Sequence, residues 1–414
     1  MSRRAAAIFL LILMSFLVVS CDKQGNSSRT EETEEVEISL DITETEKEET
    51  QATVPEETEK EETKATRPDR NTETKYLAAV LDLKSGLWGY INEKGEYVIE
   101  PQFVEAYDFA RGGLAVVRSE KNMKYGYIGS TGEYVIAPKF TDAYDFTPNG
   151  YACVMPDDGE LYGYIDSSGN IAIQAKFIGA KDFGADGIAC VQDADTGLWG
   201  YIDESGEYTI EPSFSDGGWF ASNGLACVRA APPFDMLLGY IDKTGSYVIE
   251  PLFERADDFS EFGLTRVVDP IKELIGFIDE TGTYVVPPRY TDAYIFTMDG
   301  LACVCDAKSG LCGYIDDTGK YIIEPTFAGN NAFALNGLAS VQDADSLDWG
   351  FIDMTGQYVI APTFWWANDF EKNGLAAVQD TDTQLYGYID EAGEYVIDPS
   401  FADAFGFSEI LPPM

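Results

Sequence analysis

The sequence predicts an all-β chain: a tandem array of about nine three-stranded antiparallel units, preceded by a disordered acidic tether. Three observations carry this reading. A Gly-Tyr or Gly-Phe pair recurs with its Gly at 89, 126, 163, 200, 239, 276, 313, 350 and 387, stepping by 37 residues except once by 39. Around each Gly the residues alternate and are rich in aromatic and β-branched types, which is strand chemistry. Residues 22 to 75 lack Phe, Tyr, Trp and Cys altogether, so they cannot bury enough apolar surface to offset their ordering entropy.

Each element of the unit has a physical reading, shown here on the fourth copy. Leu198-Trp199-Gly200-Tyr201-Ile202 reads as a strand. Asp203-Glu204-Ser205-Gly206 supplies a tight turn, in which the Asp bonds its own backbone and the Gly takes a left-handed conformation. Tyr208-Thr209-Ile210 returns as the second strand, and Pro212, lacking an N–H, is expected to stop the ladder. Phe214 and Phe220 are expected to plug the core, and Leu225-Ala226-Cys227-Val228 forms a third strand. One such patch is too small to fold alone, so the copies must stack on one another.

The repeat resembles the bacterial WG (KWG) repeat, named for the pair found here at Trp88-Gly89, Trp199-Gly200 and Trp349-Gly350. The likeness spans residues 76 to about 408 and includes the whole Gly-Tyr-Ile-Asp-x-x-Gly-x-Tyr-Val-Ile-x-Pro-x-Phe signature. Six copies depart at the Trp, with Tyr125, Tyr162, Leu238, Ile275, Cys312 and Tyr386 in its place, so the position wants bulk more than indole. The resemblance implies a β-rich bacterial repeat with no agreed catalytic role. Three strands per unit and nine units favour an open or superhelical stack of β-hairpins. A closed propeller-like ring is the alternative, should Pro-x-Phe-x-x-Ala-x-x-Phe hold a fourth strand.

The N-terminus has a different character. Arg3 and Arg4 precede an apolar run, Ala5 to Val19, that is short for a bilayer span and ends in Val18-Val19-Ser20-Cys21. This ending resembles a bacterial lipobox, which implies that residues 1–20 are a lipoprotein signal peptide and that Cys21 is lipidated. Residues 21–75 then form the lipidated Cys and Glu/Thr-rich linker, and residues 76–414 the repeat domain. A flexible linker of this length spans on the order of 40 Å, and charge repulsion extends it further. The expected location is exported, anchored to the bacterial cell membrane through the lipid and facing outward or into the periplasm.

Charge and composition narrow the function. With 28 Lys+Arg against 72 Asp+Glu the formal net charge is −44, which argues against nucleic-acid binding. The absence of His removes the commonest general base and metal ligand, and with it every Ser-His-Asp or Cys-His constellation. The Asp that follows Tyr-Ile (Asp166, Asp203, Asp242, Asp279, Asp316, Asp353, Asp390) recurs too often to be a catalytic base and reads as a turn cap. Asp193 with Asp195, Asp343 with Asp345, and Asp380 with Asp382 fall at matched places; they are candidate Ca²⁺ ligands, set against the plainer reading of a solvated acidic loop. No other cofactor is implied. Cys153, Cys190, Cys227 and Cys303 share one slot, roughly 14 Å apart by strand spacing, too far for the about 7 Å a disulfide needs. Cys305 and Cys312 flank one loop and are a candidate hairpin disulfide.

The candidate ligand-binding residues are Trp365, Trp366 and Trp219. Two adjacent indoles stand at 365–366, where most copies have a polar or small pair. Exposed aromatics on loops stack sugar rings or grip peptides; filling the core is the competing role. Three function classes follow. The first is a membrane-tethered, non-catalytic interaction scaffold for a protein, peptide or envelope glycan. The second is a cell-wall or polysaccharide-binding module. The third is a carboxylate-dependent glycosidase, which needs a distinctive Asp/Glu pair that the sequence does not offer. The expectation is that the protein is not an enzyme.

Overall fold

The computed structural model describes residues 76–410, except 111, 158 and 233–236. The expected signal peptide, Cys21 and the expected linker fall on residues 1–75, outside the described residues. Every regular element described is a β-strand, and each repeat contributes three. In the fourth repeat these are Ala189–Asp193, Trp199–Ile202 and Tyr208–Phe220. The turn between the last two is as the sequence requires. Gly206 has φ +83°, its N–H bonds to the Asp203 carbonyl, and the Asp203 N–H bonds back to the Glu207 carbonyl.

Pro212 does not end the strand. The strand from Tyr208 runs through it to Phe220, because the two halves serve different neighbours. Before the Pro, Ile210 pairs with Tyr201 of its own repeat. Beyond it, Gly217 pairs with Val228 of the next repeat. The third strand therefore supplies a fourth strand to the following blade.

The same pairing closes the chain on itself. Tyr76–Asp82, the first strand, pairs with the last long strand through Val80 and Ala404. Leu77 then pairs with Ser408 of the two-residue strand that follows. Of the two architectures open to the sequence, the structure takes the closed ring, a propeller-like arrangement of nine blades; eight are four-stranded, and in the sixth the fourth strand is reduced to a single bridge between Ala256 and Val267. The open stack is not formed, since the strand that would have ended it is used as the first blade's missing member.

The half-strand after the Pro is the innermost. Side chains on it reach the same half-strand of the neighbouring blade: Trp219 Nε1 donates to the Asp182 carbonyl, and Lys181 Nζ to the Gly217 carbonyl.

Each blade has one packing scheme. The Tyr or Phe after the repeat Gly is buried, with its ring 4.8–5.1 Å from a Phe at the end of the third strand or a few residues past it, in all nine repeats. Where it is Tyr, its hydroxyl is spent on a main-chain carbonyl, as Tyr201 on Gly218 at 3.0 Å and Tyr240 on Asp257 at 2.7 Å. Burying a phenol without such a bond would cost free energy.

The repeat Gly itself is fixed by contact. A Cβ on Gly200 would stand 2.7 Å from the Ile210 carbonyl oxygen and 2.8 Å from the Pro212 nitrogen, and all nine such glycines meet a carbonyl oxygen at 2.5–2.7 Å. Gly350→Ala is therefore expected to cost about 3 kcal/mol or more, the upper range of overpacking. Gly197→Ala has nothing within 4 Å and only its φ of +70° to contend with, a cost of about 1–2 kcal/mol. Urea unfolding of the two variants measures the difference; equal stabilities would show that the close contact is not what requires Gly350.

Candidate functional site

The positions that hold the fold repeat, so a site must lie where the copies differ. The inner half-strand is that place. Nineteen residues after each repeat Gly stands Asp108, Asp145, Asp182, Trp219, Asp258, Ile295, Ala332, Asp369 or Gly406. The acids tie blades together. Asp258 accepts the main-chain N–H of Cys227 from the preceding blade, and Asp369 accepts the Ser340 hydroxyl at 3.1 Å. Sequence reasoning passed over this row; its signal was the Asp recurring before the terminal Phe.

Trp219 occupies one of these places and makes its own tie. Its Nε1 donates to the Asp182 carbonyl at 2.9 Å, yet 40% of its surface stays exposed. Beside it is Lys181, whose Nζ lies 5.3 Å from the Trp199 ring and 5.7 Å from that of Trp219. The Lys181 ammonium donates to the Gly217 carbonyl at 2.5 Å and pairs with Asp216 at 3.4 Å. A cation between two indole faces is held by their quadrupoles. The sequence signal for Lys181 was its place in the repeat, where Tyr107 and Tyr144 stand in the two copies before it.

Trp365 and Trp366 lie on the strand Tyr358–Ala367. Phe364 pairs with Asp380 and Trp366 with Gln379, so Trp365 is the extra residue of a β-bulge. Bulges re-aim a side chain, and Trp365 is 57% exposed. Trp366 is 41% exposed. Its ring sits 4.9 Å from that of Trp349, and its Nε1 donates to Asn368 at 3.0 Å. The structure does not bring Trp219 together with Trp365 and Trp366. They sit on inner half-strands four repeats apart, so they form two separate aromatic features on one ring.

The Asp pairs have another occupation. Asp193 Oδ1 accepts the N–H groups of Asp195 and Thr196 and the Thr196 hydroxyl, and its Oδ2 accepts the Tyr208 hydroxyl at 3.1 Å. Asp343 is held in this way by Asp345, Ser346 and Tyr358, and Asp380 by Thr383 and Tyr395. The first Asp of each pair thus shapes its own loop. Among the described residues no three Cys, Asp or Glu side chains gather so as to hold a metal ion, which leaves Asp195, Asp345 and Asp382 without a ligand set to complete. Cys305 and Cys312 are joined in a disulfide across directly paired strand positions. Cys153, Cys190, Cys227 and Cys303 are buried thiols outside any disulfide.

A closed ring of repeated all-β blades defines the class of protein. The chain belongs to the WG-containing-repeat family. The family's model matches it over residues 88–122, 125–158, 162–195, 199–230, 239–269, 275–307, 313–345, 349–382 and 386–409. No curated protein matches it. Its fold is similar to a crystal structure of the eukaryotic initiation factor, with TM-score 0.60 and 11% identity over 83% of this chain and 100% of that one. Lesser likenesses are to the dihydro-heme d1 dehydrogenase NirN in complex with DHE (TM-score 0.44, 10% identity, 81% of this chain and 75% of that one) and to Kluyveromyces lactis Hsv2 (TM-score 0.38, 10% identity, 75% and 99%). At such identities the first likeness speaks to the fold alone.

The carboxylates set a pH profile. Thr196 N–H and hydroxyl hold Asp193 below the ordinary range; the hydroxyls of Ser205, Thr244 and Thr355 lead the same effect at Asp203, Asp242 and Asp353. Their stabilisation is present above the unfolded value of about 3.9 and is lost as pH falls through the folded values. Asp258 is opposite: burial pushes it up to about 6, so its contribution declines as pH rises from about 4 to about 6. Melting temperature is expected to drop steeply below about pH 4. Asp258→Asn should lessen the gentler decline above about pH 4, to which Asp403, also raised by burial, contributes with the same sign, while leaving the acid limb intact; an unchanged upper limb would rule Asp258 out as a source.

Proposed function

We propose that the protein is a membrane-tethered, extracytoplasmic, non-catalytic binding scaffold whose ligand meets the inner-strand tryptophans. The observation that carries this reading is the pairing of Trp365 on a bulge with Trp366 beside it, both well exposed on a ring whose other large aromatics are mostly spent on packing. Rigid, amphipathic aromatic rings are the residue type that anchors recognition surfaces. The Lys181, Trp199 and Trp219 cluster offers a second contact of related chemistry four repeats away.

Several features support the cellular setting. The basic start, apolar run and Val18-Val19-Ser20-Cys21 ending favour export and lipidation at Cys21. The Cys305–Cys312 disulfide suits an oxidising compartment. Among the described residues no helix is long and apolar enough to cross a membrane. The non-catalytic reading draws on the absence of His and on acidic side chains committed to turns and blade ties. The ligand is a protein, a peptide or an envelope glycan.

The test is capture of solubilised envelope components by the chain lacking its first 21 residues, compared with a Trp365→Ala, Trp366→Ala double variant. Loss of an anchoring aromatic typically costs about 2 kcal/mol, roughly 30-fold in affinity. Capture lowered by that order, with unfolding unchanged, supports the reading; capture indifferent to both indoles overturns it. Quenching of tryptophan emission by purified envelope polysaccharide would assign a glycan, and a retained protein band with no response to sugar would assign a protein partner.

A further inference from the structure

One junction between blades lacks the aromatic ring that fills its siblings. Eight residues after the repeat Gly stands a Tyr in every copy but the third, which has Ile171. In seven junctions that Tyr meets, edge to face, the aromatic residue fourteen after the Gly of the repeat before it, at 6.1–6.5 Å. In six copies its hydroxyl also donates to the Asp seven residues before the repeat Gly, as Tyr208 does to Asp193 at 3.1 Å and Tyr284 to Asp269 at 3.2 Å. The Tyr ring thus sits between an aromatic wall and an acceptor.

The third repeat alters this arrangement at three places. Ile171 replaces the Tyr, Pro156 stands where most copies have the acceptor Asp, and Ala175 stands where the other eight have Pro. Phe140, the wall for the missing ring, is retained. The strands do not close in. Tyr164 pairs with Ile173 and Tyr162 with Phe177, in the register of the other copies, and a Cβ on Gly163 would stand 2.5 Å from the Ile173 carbonyl oxygen. The vacated space persists as a mostly apolar cavity of about 250 Å³, with Phe140, Pro156, Ile171 and Ala175 all in its lining.

Size and lining define the occupant. A cavity of about 150 Å³ walled by aliphatic and aromatic side chains takes up benzene, so one six-membered ring is accommodated. An aromatic edge against this wall is the contact that seven sibling junctions make, and such pairs gain more than burial alone. Pro156 offers no side-chain acceptor for a phenolic hydroxyl, so the ring itself is what the lining selects. The charged part of the lining is Lys139 and Asp157, both exposed. Lys139 Nζ lies 5.2 Å from the Phe140 ring, and Asp157 is paired with Lys124.

We propose that this cavity is a binding site for a small molecule bearing one aromatic ring. The ring takes the place that Tyr holds in the sibling junctions, edge-on to Phe140, and polar substituents point out past Lys139 and Asp157. The site goes beyond the scaffold reading and does not depend on it, because it uses none of the tryptophans and lies in a different repeat from each of them.

Titration of the chain lacking its first 21 residues with benzyl alcohol, followed by methyl NMR, tests this. Saturable shifts at the Ile171 and Ile173 methyls are expected, with half-saturation at about 1 mM or below. Cyclohexylmethanol, of similar size but without a π system, is expected to bind at least about three-fold more weakly. Ile171→Tyr restores the sibling residue; it should weaken benzyl alcohol binding at least ten-fold while unfolding no more easily than the wild type. Overhauser contacts from the benzyl ring to the Ile173 methyls in the wild type locate the ligand, whatever Ile171→Tyr does to folding. Ile171 and Ile173 methyls that do not respond would overturn the proposal, as would undiminished binding in well-folded Ile171→Tyr. Cyclohexylmethanol binding as tightly as benzyl alcohol would overturn the aromatic class of ligand.

Discussion

The whole ring rests on one backbone-to-backbone contact. In each repeat the Gly of the Trp-Gly pair lets the opposing strand come so close that a carbonyl oxygen occupies the space a Cβ would need. That approach creates the bulge at the Pro, and the bulge turns the third strand from its own blade toward the next. Without the contact the third strand would finish as an ordinary hairpin arm, and neighbouring repeats would share no strand. The Trp beside the Gly is replaceable because it packs a flank and does not set this geometry.

A second contact propagates the first around the ring. The turn Gly of each repeat, at φ +77° to +84°, lies against the Ile or Val of the repeat before it. Gly206 meets Ile173, and Gly95 of the first repeat meets Ile397 of the last. Closure therefore needs no special device: the last repeat treats the first as its successor. The seam uses the contacts found inside the array, with Phe405 N–H bonded to the Ala79 carbonyl at 3.0 Å as Lys181 N–H is to Cys190. Nearest-neighbour packing of this kind suits a repeat protein, where each unit is stabilised only by the two beside it.

The strands, turns and buried rings were legible in the sequence because they depend on local periodicity. Ala226 and Phe214 are both buried, as their places in the pattern require. The fourth strand was not legible, for a physical reason. Pro212 reads as a stop because it lacks an N–H, but on an outer edge at a bulge no partner asks for one. Closure was hidden with it, since a strand shared between repeats is invisible in a period counted one repeat at a time. At the candidate site, Trp365 and Trp366 stood out as departures, yet only the register shift next to Phe364 explains why the first points outward. The tying role of Asp258 and Asp369 was masked by the many turn acids around them.

The ring's two sets of edges explain where variation is allowed. Every blade has an inner edge facing the axis and an outer edge facing solvent. An unpaired outer edge invites any passing strand, so it is guarded by Pro in eight repeats. The inner edges are shielded by one another, because a long foreign strand cannot lie along one without meeting the rest. Freed from guarding, the inner half-strands can exchange Asp for Trp219, or a small residue for Trp365, at little cost to the fold. The exposed indoles of Trp219, Trp365 and Trp366 therefore fall on the inner strands, and an outer edge that drops its Pro, as at Ala175, departs from the rule that protects the other eight.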